Sequence, residues 1–144
     1  MSCHDIKFAP MLDRDYQVLA DFRYTMRCFF RFSEEAAGQV GLTPQQHQAL
    51  LFIRASRNGP GVSVGDLAEW LQIKPHSATE LSNRLETAQL VERQEDPKDR
   101  RRTLITLSPR GLELLERLTQ VHRKELQQLK EPVRQLLAML DGGE

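Results

Sequence analysis

The 144 residues carry 20 Lys and Arg against 20 Asp and Glu, with 40% apolar and 28% charged residues. Such a chain supports one core and is too apolar to be disordered throughout. No apolar run approaches the ~20 residues that cross a bilayer, and MSCHDIKFAPMLDRDY lacks a basic stretch followed by an apolar one, so a cytoplasmic protein without a membrane partner is expected.

From Asp13 to about Ala37, Tyr16, Leu19, Phe22, Met26, Phe29, Phe30 and Ala37 recur at steps of three and four. This predicts a helix with a wide aromatic face, stopped by Gly38 and Gly41. Cys28 falls among these residues and reads as a buried structural cysteine. Cys3 and Cys28 make no disulfide framework. Cys3, His4 and Asp5 are adjacent donors on a terminal tail. No zinc-like spacing joins them to His47, His76 or His122, so no metal and no cofactor is expected.

Thr43, Pro44 and Gln46 have the order of a capping box with proline at the first helical position. They predict a second helix through Ala49, Leu50 and Ile53 to about Ser56, followed by a loop at Asn58-Gly59-Pro60-Gly61. Ser63 and Asp66 repeat the capping pattern, with Val62 placed to staple against Leu67, and open a short third helix. Lys74 is pushed out of helical angles by Pro75. A turn at Ile73-Lys74-Pro75 and a fourth helix from Pro75 to about Ala88 follow, with Ala78, Leu81 and Leu85 inward. Helix, short turn, helix is a helix-turn-helix.

Val91 to Glu95 and Thr103 to Leu107 read as two short apolar strands, with Ile105 and Leu107 toward the core and Leu104 and Thr106 outward. Lys98, Arg100, Arg101 and Arg102 crowd the tip between them. Between Pro97 and Arg110 five basic residues and one acidic residue give a local +4 in a chain of zero net charge. A hairpin tip of that charge suits the DNA minor groove, whose negative potential attracts arginine. Ser108-Pro109 then caps a long helix, apolar at Leu112, Leu115, Leu118, Val121, Leu126 and Leu129. Pro132 interrupts it, and a last short helix carries Val133, Leu136, Leu137 and Leu140.

Together the elements predict one mainly α domain over 1–144. Residues 43–107 form a winged helix-turn-helix, a DNA-binding lobe of helices with a small β-hairpin wing. Residues 13–42 and 108–144 are dimerisation helices, since their apolar surface exceeds what the small lobe covers. An intertwined homodimer presents two wings and two reading helices to double-stranded DNA, on a pseudo-palindromic operator with half-sites about one helical turn apart. On the reading helix Pro75, His76, Ser77, Thr79, Glu80, Asn83 and Arg84 are the candidate DNA contacts: polar side chains for base edges or phosphates, and free N–H groups at the helix start. On the wing they are Lys98, Asp99, Arg100, Arg101 and Arg102.

The stretch LVERQEDPKDRRRTLITLSPRG resembles the wing of the MarR family of bacterial transcriptional regulators, with its Asp-x-Arg tip and following Leu-Thr-x-x-Gly. Those positions are Asp99, Arg101, Leu107, Ser108 and Gly111 here. Ser108 replaces the usual threonine, and Gln89 stands where the family usually has glycine after the reading helix. The resemblance implies that Arg101 enters the minor groove with Asp99 holding the tip. It also implies a repressor released by a small aromatic or phenolic ligand, held in a crevice that Arg23, Arg27, His47 and Trp70 would border. Two alternatives stay open at this point: a winged-helix module that contacts only an acidic protein partner, and a redox-sensing regulator acting through Cys28. No nucleophile–base pairing or phosphate-binding glycine loop points to an enzyme.

Overall fold

A computed structural model of the chain describes residues 10–56 and 59–142. The donors Cys3, His4 and Asp5 and the loop residue Asn58 lie outside them. In chain order the described elements are α1 (Asp13–Gln39), α2 (Pro44–Ala55), α3 (Val64–Leu71), α4 (Pro75–Thr87), β1 (Val91–Glu95), β2 (Thr103–Leu107), α5 (Pro109–Leu126), a 3-10 turn (Gln127–Leu129) and α6 (Lys130–Asp141). The mainly α class with one antiparallel β1-β2 hairpin agrees with the sequence expectation. None of the described helices is long and apolar enough to cross a membrane. Contacts group the chain into two units, Ser33–His122 and the terminal Met1–Phe32 with Arg123–Glu144.

Within Ser33–His122, local chemistry sets each boundary. Gly38 does not stop α1. Gly41 does, at φ +80, while the Leu42 N–H reaches back to the Ala37 carbonyl at 2.9 Å in a glycine-ended cap. Thr43 and Gln46 form the expected capping box of α2, each side chain accepting from the other's backbone N–H at 3.1 and 2.9 Å. Ser63 and Asp66 do the same for α3, both at 3.0 Å. Between α3 and α4 the chain turns at Gln72, in the left-handed region at φ 55, with its N–H on the Ala68 and Glu69 carbonyls. The core is built from Leu50, Val62, Leu67, Leu85, Leu90 and Ile105, all fully buried.

The hairpin pairs Val91 with Leu107 through to Glu95 with Thr103. Two expectations for it need correcting. β1 is not apolar: Val91 is its one buried residue, and the polar Glu92, Gln94 and Glu95 are exposed. Leu104 does not point to solvent but is buried with Ile105. Alternation assumes one covered face, whereas β2 packs on α2 and α3 and also exchanges two backbone hydrogen bonds with Val62, at 3.0 and 2.7 Å.

The wing returns to the core through Gln89, Leu90 and Ser108. The Ser108 N–H donates to the Leu90 carbonyl (3.0 Å), its hydroxyl donates to the Gln89 carbonyl (2.7 Å), and the same hydroxyl accepts the Gly111 N–H (3.0 Å). Gln89 sits at φ 61, the left-handed conformation that glycine adopts without strain. Gln89→Gly is therefore expected to stabilise the fold by about 0.5–1 kcal/mol. The check is a raised urea midpoint at unchanged m-value.

In the terminal unit, Tyr16, Tyr24 and Phe30 of α1 are exposed, as are Leu126, Leu137 and Leu140. Helix α6 has no buried residue. Cys28 is exposed, which corrects its reading as a buried structural cysteine. Apolar residues lie around so much of α1 that periodicity alone does not say which side is covered. The helix break also falls earlier than Pro132, at Gln127–Leu129, and Pro132 lies in the first turn of α6. A proline there needs no N–H partner, but its ring clashes with a helical carbonyl four residues back, at Gln128, so the irregular turn precedes it.

Candidate nucleic-acid interface

Helix α4 buries Ala78, Leu81, Ser82 and Leu85, which leaves the predicted contact residues on the outer side. They divide into two stripes. Ser77, Glu80 and Arg84 line a groove with Thr43, Gln45 and Gln46 at the start of α2. His76, Thr79 and Asn83, also at steps of three and four, form the neighbouring exposed stripe. Lys74 caps the helix without a side-chain hydrogen bond, and Pro75 occupies the first position, so the next backbone N–H groups are free to meet an anion.

The wing tip is braced from within. The Asp96 N–H donates to the Arg102 carbonyl at 2.8 Å, and the Arg102 N–H donates to the Asp99 carbonyl at 2.9 Å. Asp96 Oδ1 accepts the Lys98 N–H at 2.9 Å. Asp99 Oδ1 accepts both the Arg101 N–H (3.1 Å) and its Nε (3.2 Å), and the Arg101 side chain is 93% exposed. Lys98 and Arg100 are exposed beside it. Arg102 differs. Its Nη2 donates to Ser63 Oγ and Asp66 Oδ2, both at 3.0 Å, and ties the wing to the capping box of α3. The Ser63 backbone N–H holds the Asp66 carboxyl below its ordinary range, helped by the Ser63 hydroxyl and Arg102 and opposed by partial burial.

A second tie was not legible in the sequence. Arg93, on β1, donates to Ser82 Oγ and Asn83 Oδ1 and pairs through Nε with Glu86 at 3.0 Å. The hairpin is thus clamped to α3 through Arg102 and to α4 through Arg93.

The model of the MarR family matches residues 40–102, which span α2, the helix-turn-helix and the wing tip. The transcriptional repressor MdtR of Bacillus subtilis (strain 168) is 30% identical over 100 residues, 66% of this chain and 62% of MdtR. The chain belongs to the MarR family. The transcriptional activatory protein BadR of Rhodopseudomonas palustris is 36% identical over 80 residues, 56% of this chain and 46% of BadR. The matched segments thus span less than two thirds of these curated MarR-family relatives, which are transcriptional regulators rather than enzymes. Among solved structures, MepR, described as a transcription regulator of the Staphylococcus aureus multidrug efflux pump MepA, has a TM-score of 0.71 at 26% identity, covering 83% of this chain and 90% of that one. MepR is also solved in complex with DNA (TM-score 0.65, 26% identity, 83% and 93% covered) and bound to ethidium bromide (TM-score 0.62, 26% identity, 83% and 89% covered).

The four residues expected around a ligand crevice have different settings. Arg23 and Arg27 are exposed on the part of α1 that belongs to the terminal unit. Trp70 is half-exposed and stacks on Phe52, with ring centroids 4.9 Å apart. His47 is buried with His122, centroids 4.8 Å apart, and its Nδ1 has no hydrogen-bond partner. His122 meets the Leu118 carbonyl at 2.6 Å and Ser33 Oγ at 2.8 Å. Within the terminal unit Cys28 borders a cavity of about 310 Å³ with Tyr24, Thr25, Phe29, Glu125, Gln128 and Leu129. The Tyr24 hydroxyl is pushed above its ordinary value, chiefly by its hydrogen bond with the Cys28 thiol. Among the described residues no cluster of three His, Cys, Asp or Glu is placed to hold a metal.

Proposed function

We propose that this MarR-family chain acts as a homodimeric, sequence-specific transcriptional regulator that binds a pseudo-palindromic operator and is released by a small planar ligand. The observation that carries the reading is Arg101: a cation almost wholly in solvent, held at Asp99 on a hairpin clamped to two helices. A solvated decorative charge needs no such bracing. Arginine aimed into a minor groove gains from it, because fewer rotamers are lost on binding. Lys98 and Arg100 flank it as phosphate contacts, and Arg102 sets the angle of the wing. The exposed stripe on α4 supplies the reading surface. That MepR is solved on DNA supports the same use here.

The exposed Tyr16, Tyr24, Phe30, Leu137 and Leu140 of the terminal unit support the dimer, since a second copy would remove that apolar surface from water. The ethidium complex of MepR supports a planar aromatic effector, which would act by preferring a dimer with unsuitable half-site spacing. Whether binding represses or activates depends on where the operator lies. The relatives include one regulator of each kind.

Arg101→Ala tests the reading. With a duplex selected by the wild-type protein, affinity is expected to fall about tenfold while the dimer stays folded. The slope of log K against log salt should become shallower by about 2, one cation being lost from each wing. Unchanged affinity and slope would remove the wing from the interface. Failure of wild type to bind any duplex, with capture of an acidic protein instead, would favour the protein-contact module.

A further inference from the structure

The geometry assigns Arg93 the role of a positioning residue: it fixes which edge of Asn83 faces DNA and so which base groups that side chain reads. The inference rests on the DNA-binding reading above. Arg93 reaches from β1 to three residues on successive turns of α4. Its Nη2 donates to Ser82 Oγ and to Asn83 Oδ1, both at 2.5 Å, and its Nε pairs with Glu86 at 3.0 Å. A guanidinium has donors only, so the amide atom that faces it is the oxygen. The two N–H groups of Asn83 are then the ones turned away, on an exposed residue of the His76–Thr79–Asn83 stripe.

The clamp has a fixed base. Ser82 is fully buried, and its hydroxyl donates to the Thr79 carbonyl while accepting from Arg93. Glu86 balances the guanidinium charge, and the Arg93 side chain is only 29% exposed, so Arg93 is poorly placed to serve a phosphate itself.

An asparagine that offers both amide atoms pairs with adenine, accepting from N6 and donating to N7. With its oxygen held inward, Asn83 meets a base as a donor. It matches the acceptor edges of the major groove: purine N7, guanine O6 and thymine O4. Guanine presents two such acceptors side by side and is the favoured partner. Cytosine presents an amino group there and is disfavoured, because two donors would face each other.

The test is selection of duplexes from a random pool by the full chain as wild type, Asn83→Ala, Arg93→Ala and Arg93→Lys. Wild type is expected to prefer guanine over cytosine at one position in each half-site by about 3- to 10-fold, the range of a net hydrogen bond. Asn83→Ala should lose that preference. Arg93→Ala should lose it at the same position, although Arg93 does not touch the base. If Arg93→Ala fails to fold, Arg93→Lys keeps the charge and stem but not the planar fork that grips three partners, and it should also lose the preference. Replacing the selected guanine with 7-deazaguanine should weaken wild type and leave Asn83→Ala unaffected. Arg93 variants that lower affinity evenly for all sequences with the guanine preference intact would overturn the clamp alone, as would an adenine preference lost on Asn83→Ala. A wild-type protein that binds no duplex would sink the DNA-binding reading and this inference with it.

Discussion

Gly111→Ala is expected to destabilise the fold by at least about 3 kcal/mol, the upper end of what overpacking does to a core. A Cβ on Gly111 would lie 2.0 Å from the Leu90 carbonyl oxygen and 3.0 Å from its carbonyl carbon. Neither side has room to retreat. Leu90 is buried, its N–H is held by the Leu85 carbonyl at 3.0 Å, and its own carbonyl accepts the Ser108 N–H. Gly111 is fixed from the other direction, because its N–H caps α5 on Ser108 Oγ. The start of α5 is thereby pressed onto the strand that begins the wing. The control is Gly38→Ala, where a Cβ meets nothing within 4 Å and the helix gains up to about 1 kcal/mol. Urea denaturation at matched protein concentration reads both. A Gly111→Ala protein within about 1 kcal/mol of wild type would mean that the α5–wing junction yields more easily than this packing implies.

The same junction shows what a sequence carries and what it does not. Leu107, Ser108 and Gly111 are recognisable as a motif because the capping hydroxyl and the N–H it receives are three residues apart, a spacing internal to one helical turn. The two capping boxes are legible for the same reason. Why position 111 has to be glycine is not legible, since the obstructing carbonyl belongs to residue 90. Arg93 escapes notice on similar grounds: it stands in a polar strand, VERQE, and its partners Ser82, Asn83 and Glu86 all lie on another element, α4. Arg102 looks like one of four equivalent tip cations until Asp66 and Ser63 are found beside it. Burial fails where pattern rules assume a single covered face, at Leu104, and where apolar residues run round most of a helix, at Cys28. The candidate DNA surface was thus legible as composition and spacing, and the ties that set its shape are long-range.

Acid is expected to weaken the fold of Ser33–His122 well above the range in which carboxylates titrate, through His47. Burial is the main cause that lowers the His47 pKa from its ordinary value of 6.5, and the neighbouring His122 adds to it. The Leu118 carbonyl can only accept, so the His122 Nδ1 at 2.6 Å from it carries a proton. His47 stays neutral with its Nδ1 buried and unpartnered. The sign follows from proton counting. Below about pH 6.5 the unfolded chain protonates this histidine and the folded one does not, so stability declines as pH falls through that value and is level above it. The loss grows as pH falls below the unfolded pKa and levels off once the folded pKa is passed. Urea midpoints at pH 7.5 and 5.5, at fixed protein concentration, measure it. His47→Leu, which removes the titrating ring and leaves an apolar side chain of similar size, should flatten the dependence and be the more stable protein at pH 5.5. A wild-type midpoint that does not move between the two pH values, or a His47→Leu variant that keeps the full decline, would assign the acid sensitivity elsewhere.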